Sequence, residues 1–310
     1  MKPDEGRPLV IGHLTVDDIV LSTGETSMEA PGGDSLYAAL GARVWGLKPS
    51  MIACRADTYS QHILDQVDAM GVDTRLLQRV SGPGVRQWAL YDTSGGRQYH
   101  AQGRSSSYLE ISPRVAKMGE VPALVSAAHV APMPGVVQKE WVEWLHGRNC
   151  PWILLDPHED ELSDTQLWRE ILPHVTVFLP SIVEVAALLG SNVSVVQAVK
   201  RLADWGPKIV IIKMGERGSL YYERDTRAMF QISAFPAQAR DSTGCGDAFC
   251  GGFMAGLCQL GDPRAAAQWG SISASFVLEG YGPYQVMKTT TKQAMDRWAT
   301  IRRREDHGVG

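Results

Sequence analysis

Short apolar runs recur along the chain, separated by stretches in which apolar positions return every three or four residues. The runs Leu9–Gly12, Met51–Cys54, Ala127–Val130, Trp152–Asp156, Val175–Leu179 and Ile209–Lys213 are too short for helices and show little polar alternation. That pattern predicts strands buried on both faces, as in a parallel sheet. Between the runs, Ile63, Leu64, Val67 and Met70 share one helical face, and Val195, Val196, Val199 and Leu202 share another. Strands alternating with helices of this length predict an α/β fold of three α/β/α layers with a mostly parallel central sheet.

Two segments break the rhythm. Val85–Tyr91 and Arg97–Ala101 flank Asp92–Gly96, which reads as a turn, and Arg86, Trp88 and Leu90 alternate with their neighbours. This predicts a hairpin with one wetter face. Such a hairpin either projects as a cover over a site or is plain surface structure. Further on, Gly218–Tyr222 and Arg227–Phe235 read as antiparallel strands added to the sheet edge. No repeat, low-complexity tract or linker divides residues 1–310. The expectation is a single domain with a small β lid.

Composition narrows the partners. The chain is 44% hydrophobic and 21% charged with a formal net charge of −4, an ordinary globular balance without the basic excess of a nucleic-acid binder. Arg302, Arg303 and Arg304 read as a solvated helix end. Cys54, Cys150, Cys245, Cys250 and Cys258 form no CxxC pair, and their odd number does not suit a disulfide framework. No apolar stretch reaches the roughly eighteen residues of a membrane span. Residues 1–12 carry acids and prolines where a leader would be apolar. The expectation is a soluble, cytoplasmic protein with neither a nucleic-acid nor a membrane partner.

The densest chemistry lies in Asp241–Leu260, DSTGCGDAFCGGFMAGLCQL. A turn leads into a helix on which Phe249, Phe253, Leu257 and Leu260 follow helical spacing, while Gly252 and Gly256 permit close approach by a neighbour. Gly244, Cys245, Gly246 and Asp247 fall where that helix begins. The N–H groups of a first helical turn lack internal partners and favour an anion. Glycines let the backbone close around a phosphate. Asp247 has two readings there: a base that takes a proton from an attacking hydroxyl, or a helix cap.

DSTGCGDAFCGGF resembles the C-terminal signature of the ribokinase-like (PfkB-type) carbohydrate kinases, usually DTTGAGDxFxGG. The resemblance implies that Asp247 is the catalytic base and that the backbone of Gly244, Cys245 and Gly246 forms an anion hole, with Cys245 replacing the usual alanine. The segment Gly32-Gly33-Asp34-Ser35-Leu36-Tyr37-Ala38-Ala39 is similar to the family's N-terminal motif. It implies that Gly32, Gly33 and Tyr37 line the acceptor pocket. Tyr37 stands where Asn is usual, a departure that points to a less common acceptor. Asp17, five residues past Gly12, matches the aspartate that binds acceptor hydroxyls; Asp18 is a second candidate or a turn residue.

LPSIVEVAALLG resembles the family's PNxxEx(x)xLxG segment and implies that Glu184 organises Mg²⁺ through water, with Ser181 replacing Asn. Ile212–Gly218 resembles KxGxxG, so Gly215 and Gly218 would shape a loop at the nucleotide phosphates. Lys213 there either contacts phosphate or makes a structural ion pair. Asp241 and Thr243 match a K⁺-binding loop that Ser273–Ser275 and Gly280–Gly282 would complete. Adenine would lie against Ala265–Ser275, with Gly270 where Asn is common. The lid would comprise residues 13–31 and 84–104, and lids in this family frequently pair two copies.

The resemblance covers about Leu9 to Gly282. It implies an ATP-dependent phosphotransferase that uses Mg²⁺ and, as a further ion, K⁺. The acceptor would be a small-molecule hydroxyl of a sugar or sugar-like compound. A nucleoside kinase is the alternative, in which Trp88 either stacks a base or fills the hairpin core. A binding protein that has lost turnover is the third reading, suggested by Tyr37 and Ser181.

Overall fold

The computed structural model describes residues 6–93, 96–119, 122–158, 162 and 164–306. Its strands are β1 (Leu9–Ile11), β2 (Thr15–Val20), β3 (Thr26–Gly32), β4 (Ser50–Ile52), β5 (Cys54–Arg55), β6 (Gln78–Arg79), β7 (Val85–Tyr91), β8 (Arg97–Ala101), β9 (Ala128–Val130), β10 (Ile153–Leu155), β11 (Val177–Phe178), β12 (Ile209–Lys213), β13 (Ser219–Glu223) and β14 (Met229–Ile232). Its helices are α1 (Asp34–Arg43), α2 (Gln61–Ala69), α3 (Gly135–His146), α4 (Thr165–Ile171), α5 (Ile182–Leu189), α6 (Val195–Ala203), α7 (Cys245–Leu260), α8 (Pro263–Leu278), α9 (Tyr284–Lys288) and α10 (Thr291–Asp306).

The central sheet has the order β14-β13-β12-β11-β10-β9-β1-β4. All neighbours from β4 to β12 run parallel, and β13 and β14 close the edge antiparallel. The six apolar runs are the six parallel strands, and the two edge strands fall where expected. Strand alternation divides the core in two, because successive side chains leave opposite faces. Val10, Leu154, Ile209 and Ile211 pack into one cluster with α1, α7 and α8. Leu9, Ile11, Ile153, Leu155, Val210 and Ile212 pack into the other with α3, α4 and α6. These are the three layers. On the first side Trp45 and Trp269 stack with centroids 4.0 Å apart, and Trp298 meets Trp45 edge-on.

Helix α7 is gripped between α1 and α8. A Cβ at Gly252 would press on Ser273 and the Trp269 carbonyl, and one at Gly256 would press on Ala266, so both glycines allow α8 to close in. Two apolar positions depart from their expected faces. Val196 is 47% exposed, because Ala198, Val199, Leu202 and Ala203 form the buried face of α6. Leu260 is 40% exposed, because α7 ends there in a left-handed Gly261.

A second sheet, in the order β3-β2-β7-β8, stands apart from the first and forms the lid. Strands β2 and β7 run parallel and the outer pairs antiparallel. Of the Asp92–Gly96 turn, residues 94 and 95 lie outside the described residues, as do residues 1–5 of the N-terminal segment.

Candidate active site

The C-terminal ends of the parallel strands converge on the start of α7, as ligand sites in open α/β sheets do. Gly244 is the N-cap of α7, in a left-handed conformation with φ 76°, and Asp247 lies in the first turn. The Cys245 N–H donates to the Ser242 carbonyl at 3.2 Å, which tightens the loop. The Cys245 thiol contacts the Ala274 carbonyl, and burial pushes it up to about 12, so it is a packed side chain and not a thiolate.

Three strands deliver charge to this loop. Lys213, at the end of β12, brings Nζ to 3.5 Å from where a Cβ on Gly246 would sit. Its ammonium pairs with Asp156, the residue after β10. Burial alone would push Lys213 down, and Asp156, Cys250 and Glu184 together more than offset this, holding the lysine charged. The Asp156 Oδ1 is buried without a hydrogen-bond partner. Glu184 enters from α5, which follows β11. Its Oε2 accepts from the Ser181 N–H at 2.6 Å while the Ser181 hydroxyl accepts from the Glu184 N–H, a capping box. Burial and then the Asp156 charge push Glu184 up to about 7. Asp34, the first residue of α1, accepts from the His13 N–H at 2.6 Å. At Asp247, burial, then Asp34 and Asp156, push the carboxyl up to about 8, while Lys213 and Arg97 oppose the rise.

The opposite wall comes from the lid and α1. Asp17 on β2 is buried and accepts from Thr15 Oγ1 at 3.0 Å and Gln87 Nε2 at 3.1 Å. Burial pushes it up to about 6. A Cβ on Gly32 would overlap the Asp17 carboxylate, and Gly33 (φ 109°) starts α1 tight against the His13 carbonyl. Tyr37 is 1% exposed, its ring lies against Gly244, and its hydroxyl has no hydrogen-bond partner. Burial, then the charges of Asp17 and Asp241, push that phenol well above its ordinary value.

Asp18 points the other way. It takes Arg86 as an ion-pair partner and accepts from the Glu29 N–H at 2.7 Å, so it stitches the lid together. Trp88 lies on that same outer face, opposite Asp18 and His100, and does not face the pocket of Asp17. The reading of Trp88 as a base-stacking residue is corrected accordingly. A hollow of about 1030 Å³ also opens on the Val16 and Arg86 face, away from the carboxylates of the cleft.

The lid tip is tied to the loop before α7. The Tyr91 hydroxyl donates to Asp241 Oδ1 at 2.6 Å, and Arg97 Nη1 donates to Thr243 Oγ1 at 3.2 Å. Asp241 also accepts from the Thr243 N–H at 2.9 Å and from the Gly282 N–H at 3.3 Å. Three donors thus reach the Asp241 carboxylate. Gly215 and Gly218 have φ of 61° and 81° and form the turn from β12 to β13. Gly270 sits in the crossing of α8 with α7, where a Cβ would lie 2.8 Å from the Phe249 carbonyl, which gives it a packing role.

Sequence reasoning missed Asp34, Asp156, Tyr91 and Arg97. Asp156 had a signal, an acid closing an apolar run just before Pro157. Asp34 stood inside a quoted motif without being singled out. The two lid residues had no local signal, because their importance depends on where the lid closes.

Three α/β/α layers, a glycine loop at a helix start with an aspartate beside it, and a β lid define the ribokinase-like class of phosphotransferases. The chain belongs to the pfkB family of carbohydrate kinases, whose family model matches residues 9–290. The family-level chemistry is ATP-dependent phosphoryl transfer to a small polar acceptor. The cytidine kinase of Thermococcus kodakarensis is 26% identical over 284 residues, 90% of this chain and 98% of that protein. Among solved structures, the Burkholderia thailandensis nucleoside kinase in complex with ADP-inosine superposes with a TM-score of 0.78 at 20% identity, covering 94% of this chain and 95% of that one. A putative ribokinase II from E. coli in complex with ATP and Mg²⁺ gives 0.76 at 18%, covering 95% and 99%. At these identities the two structures share the fold. Among the described residues no helix is long and apolar enough to cross a membrane.

Proposed function

We propose that this protein transfers the γ-phosphoryl group of ATP to a hydroxyl of a nucleoside, with Asp247 as the base. The observation that carries this is the position of Asp247: in the first turn of α7 beside the Gly244–Gly246 loop, in a cleft whose far wall holds the buried Asp17. The acceptor hydroxyl lies between these two carboxylates. Asp17 accepts the neighbouring hydroxyls, and Asp247 takes the proton of the one that attacks. The loop N–H groups and the helix terminus receive the charge of the phosphoryl oxygens.

A nucleoside is favoured over a free sugar for two reasons. The cytidine kinase relative matches almost end to end. Aromatic rings also stand on the acceptor side: Tyr37 and Tyr59 are buried, with burial and then the Asp17 charge pushing their phenols up, and Tyr99, 37% exposed, lies on the same lid face as Asp17. A sugar is the second reading, supported by the Asp17 carboxylate, which suits any polyol.

Magnesium fits with the nucleotide as its main ligand. Among the described residues no cluster of three or more His, Cys, Asp or Glu could hold a metal alone. Glu184 and the unpartnered Asp156 Oδ1 are the acids that would meet the ion, and a bound ion offsets phosphate charge. Lys213, Gly215 and Gly218 belong to the proposed phosphate side. Two copies would pair through the outer lid face, where Leu90 is 38% exposed.

The test is ADP release with ATP, Mg²⁺ and cytidine, inosine, ribose or deoxyribose. Release that depends on a nucleoside, with a kcat/KM above that for the free sugars, is expected. Turnover with sugars alone would replace this reading by the second. No acceptor-dependent release at all would favour a binding protein.

A further inference from the structure

Gln87 is the register partner of Asp17, where β7 runs parallel to β2. Its side chain is buried and its amide is shared between two groups. Nε2 donates to Asp17 Oδ1 at 3.1 Å, and Oε1 accepts from the Tyr108 hydroxyl at 2.7 Å. The two ends of an amide are not equivalent, and an ionised carboxylate can only accept. With the phenol donating to its oxygen, the amide presents its NH₂ to Asp17. Turned over, it would set its oxygen against the carboxylate. Tyr108 follows the lid in sequence and is anchored to the end of β1. Its ring lies 5.1 Å from that of His13, centre to centre, and its carbonyl accepts from the Ser112 hydroxyl at 2.7 Å. Ser112 Oγ in turn meets His13 Nε2 at 2.8 Å. Asp17 Oδ1 also accepts from Thr15 Oγ1 at 3.0 Å, so two protein donors take up this oxygen. Asp17 Oδ2 stands over Gly32, where a Cβ would overlap it, and is the oxygen left for a ligand.

Resting on the phosphotransfer reading above, we propose that Tyr108 is a positioning residue for the acceptor: through the Gln87 amide it locks the Asp17 carboxylate so that Oδ2 meets the acceptor hydroxyl. The lock acts in two ways. It fixes the rotation of the carboxylate before the acceptor arrives, which removes an ordering cost from binding. It also keeps a donor on the charged form, which favours ionisation. Burial pushes Asp17 up to about 6, and the bonds from Thr15 and Gln87 are the leading influences that pull it down. Around Asp17 stand Tyr37 from α1, Tyr59 from the loop before α2, Tyr99 and Arg97 from β8, and Asp241 from the loop before α7. Of these, Asp241 raises the carboxyl and Arg97 lowers it, both after the two hydrogen bonds. Without the phenol the amide is free to turn, and Asp17 loses both its fixed orientation and part of its preference for the charged form.

The experiment compares wild type with Y108F, Q87M, D17N and the doubles Y108F/Q87M and Y108F/D17N, with cytidine as acceptor. Y108F should raise the acceptor KM about three-fold to ten-fold, with kcat and the ATP KM each within about twofold. Q87M, which removes the bond to the charge itself, should raise it by more than about ten-fold. In wild type the acceptor KM should climb as pH falls through the titration of Asp17. In Y108F and Q87M that limb should move to higher pH, because the charged form has lost support. A phenol that only packs would not move it. Y108F should add little in the Q87M and D17N backgrounds, since its effect passes through both residues. An unchanged acceptor KM and pH limb in Y108F would overturn the assignment. So would a Y108F loss as large in D17N as in wild type, which would mean that the phenol acts by another route. If Q87M misfolds, Y108F, which deletes a single oxygen, and its cycle with D17N still decide. A wild type that releases no ADP with cytidine, inosine or ribose defeats the phosphotransfer reading and the relay with it, whereas an active wild type with an unchanged Y108F defeats only the relay.

Discussion

The ring of Tyr37 lies directly beneath Gly244, and a Cβ at position 244 would overlap three of its ring carbons. Gly244 also has φ 76°, a conformation that costs a residue with a side chain about 1–2 kcal/mol. Residue 37 and the glycine loop are therefore fitted to each other. Gly244→Ala should lose most turnover and lower the melting temperature. Combined with Tyr37→Asn, which vacates the space, it should lose less than the sum of the two single changes. Strict additivity in kcat and Tm would mean the contact is not felt.

Replacing Asp247 with Asn keeps volume and capping ability but removes the proposed base. kcat should fall by about 10²–10⁴. Stability should not fall with it. The folded-state carboxyl is raised from 3.8 to about 8, so the native state keeps a proton that the unfolded chain has lost. Stability from this group is therefore full below the unfolded value and declines as pH rises towards 8. Asp247→Asn should remove that decline, and its melting temperature at pH 8 should equal or exceed that of wild type. Near-normal kcat would reduce Asp247 to a cap.

On the proposed mechanism the same carboxyl should set an acid limb, because a base must be ionised to work. kcat/KM should rise with pH through the titration of Asp247. Asp34 is the leading charge that raises it, after burial. Asp34→Asn still accepts from the His13 N–H, and it should move the limb to lower pH. An unmoved limb would separate Asp34 from the base.

Asp17→Asn should raise the acceptor KM roughly ten-fold to a hundred-fold, in line with about 1.5–3 kcal/mol for a hydrogen bond to a charged group. The ATP KM should stay near its wild-type value. Equal Michaelis constants in variant and wild type would leave Asp17 a structural partner of Thr15 and Gln87.

Glu184 combines a cap with its proposed role near the metal. Glu184→Gln keeps an acceptor for the Ser181 N–H, so melting should be little changed. Half-maximal turnover should require more Mg²⁺. The same Mg²⁺ titration curve as wild type would leave only the capping box.

Much of this protein was determined by local sequence. The six parallel strands were readable because strands buried on both faces need unbroken apolar runs, and the glycine loop with Asp247 was readable because a phosphate cradle at a helix start needs those residue types in one short segment. The tertiary structure decided what depends on facing and distance. Asp17 and Asp18 are adjacent and chemically alike, yet strand alternation points one into the cleft and the other at Arg86. Trp88 was suited to stack a base or to fill the hairpin core, and the pairing of β7 with β2 puts it on the face of Asp18, away from Asp17. Lys213 was open between phosphate and ion pair until Asp156, from another strand, arrived beside it. The raised carboxyl of Asp247 depends on Asp34 and Asp156 beside its burial, and the contact of Arg97 with Thr243 on where the lid lies. Charges act through space, and only the folded chain sets the distances between groups far apart in sequence.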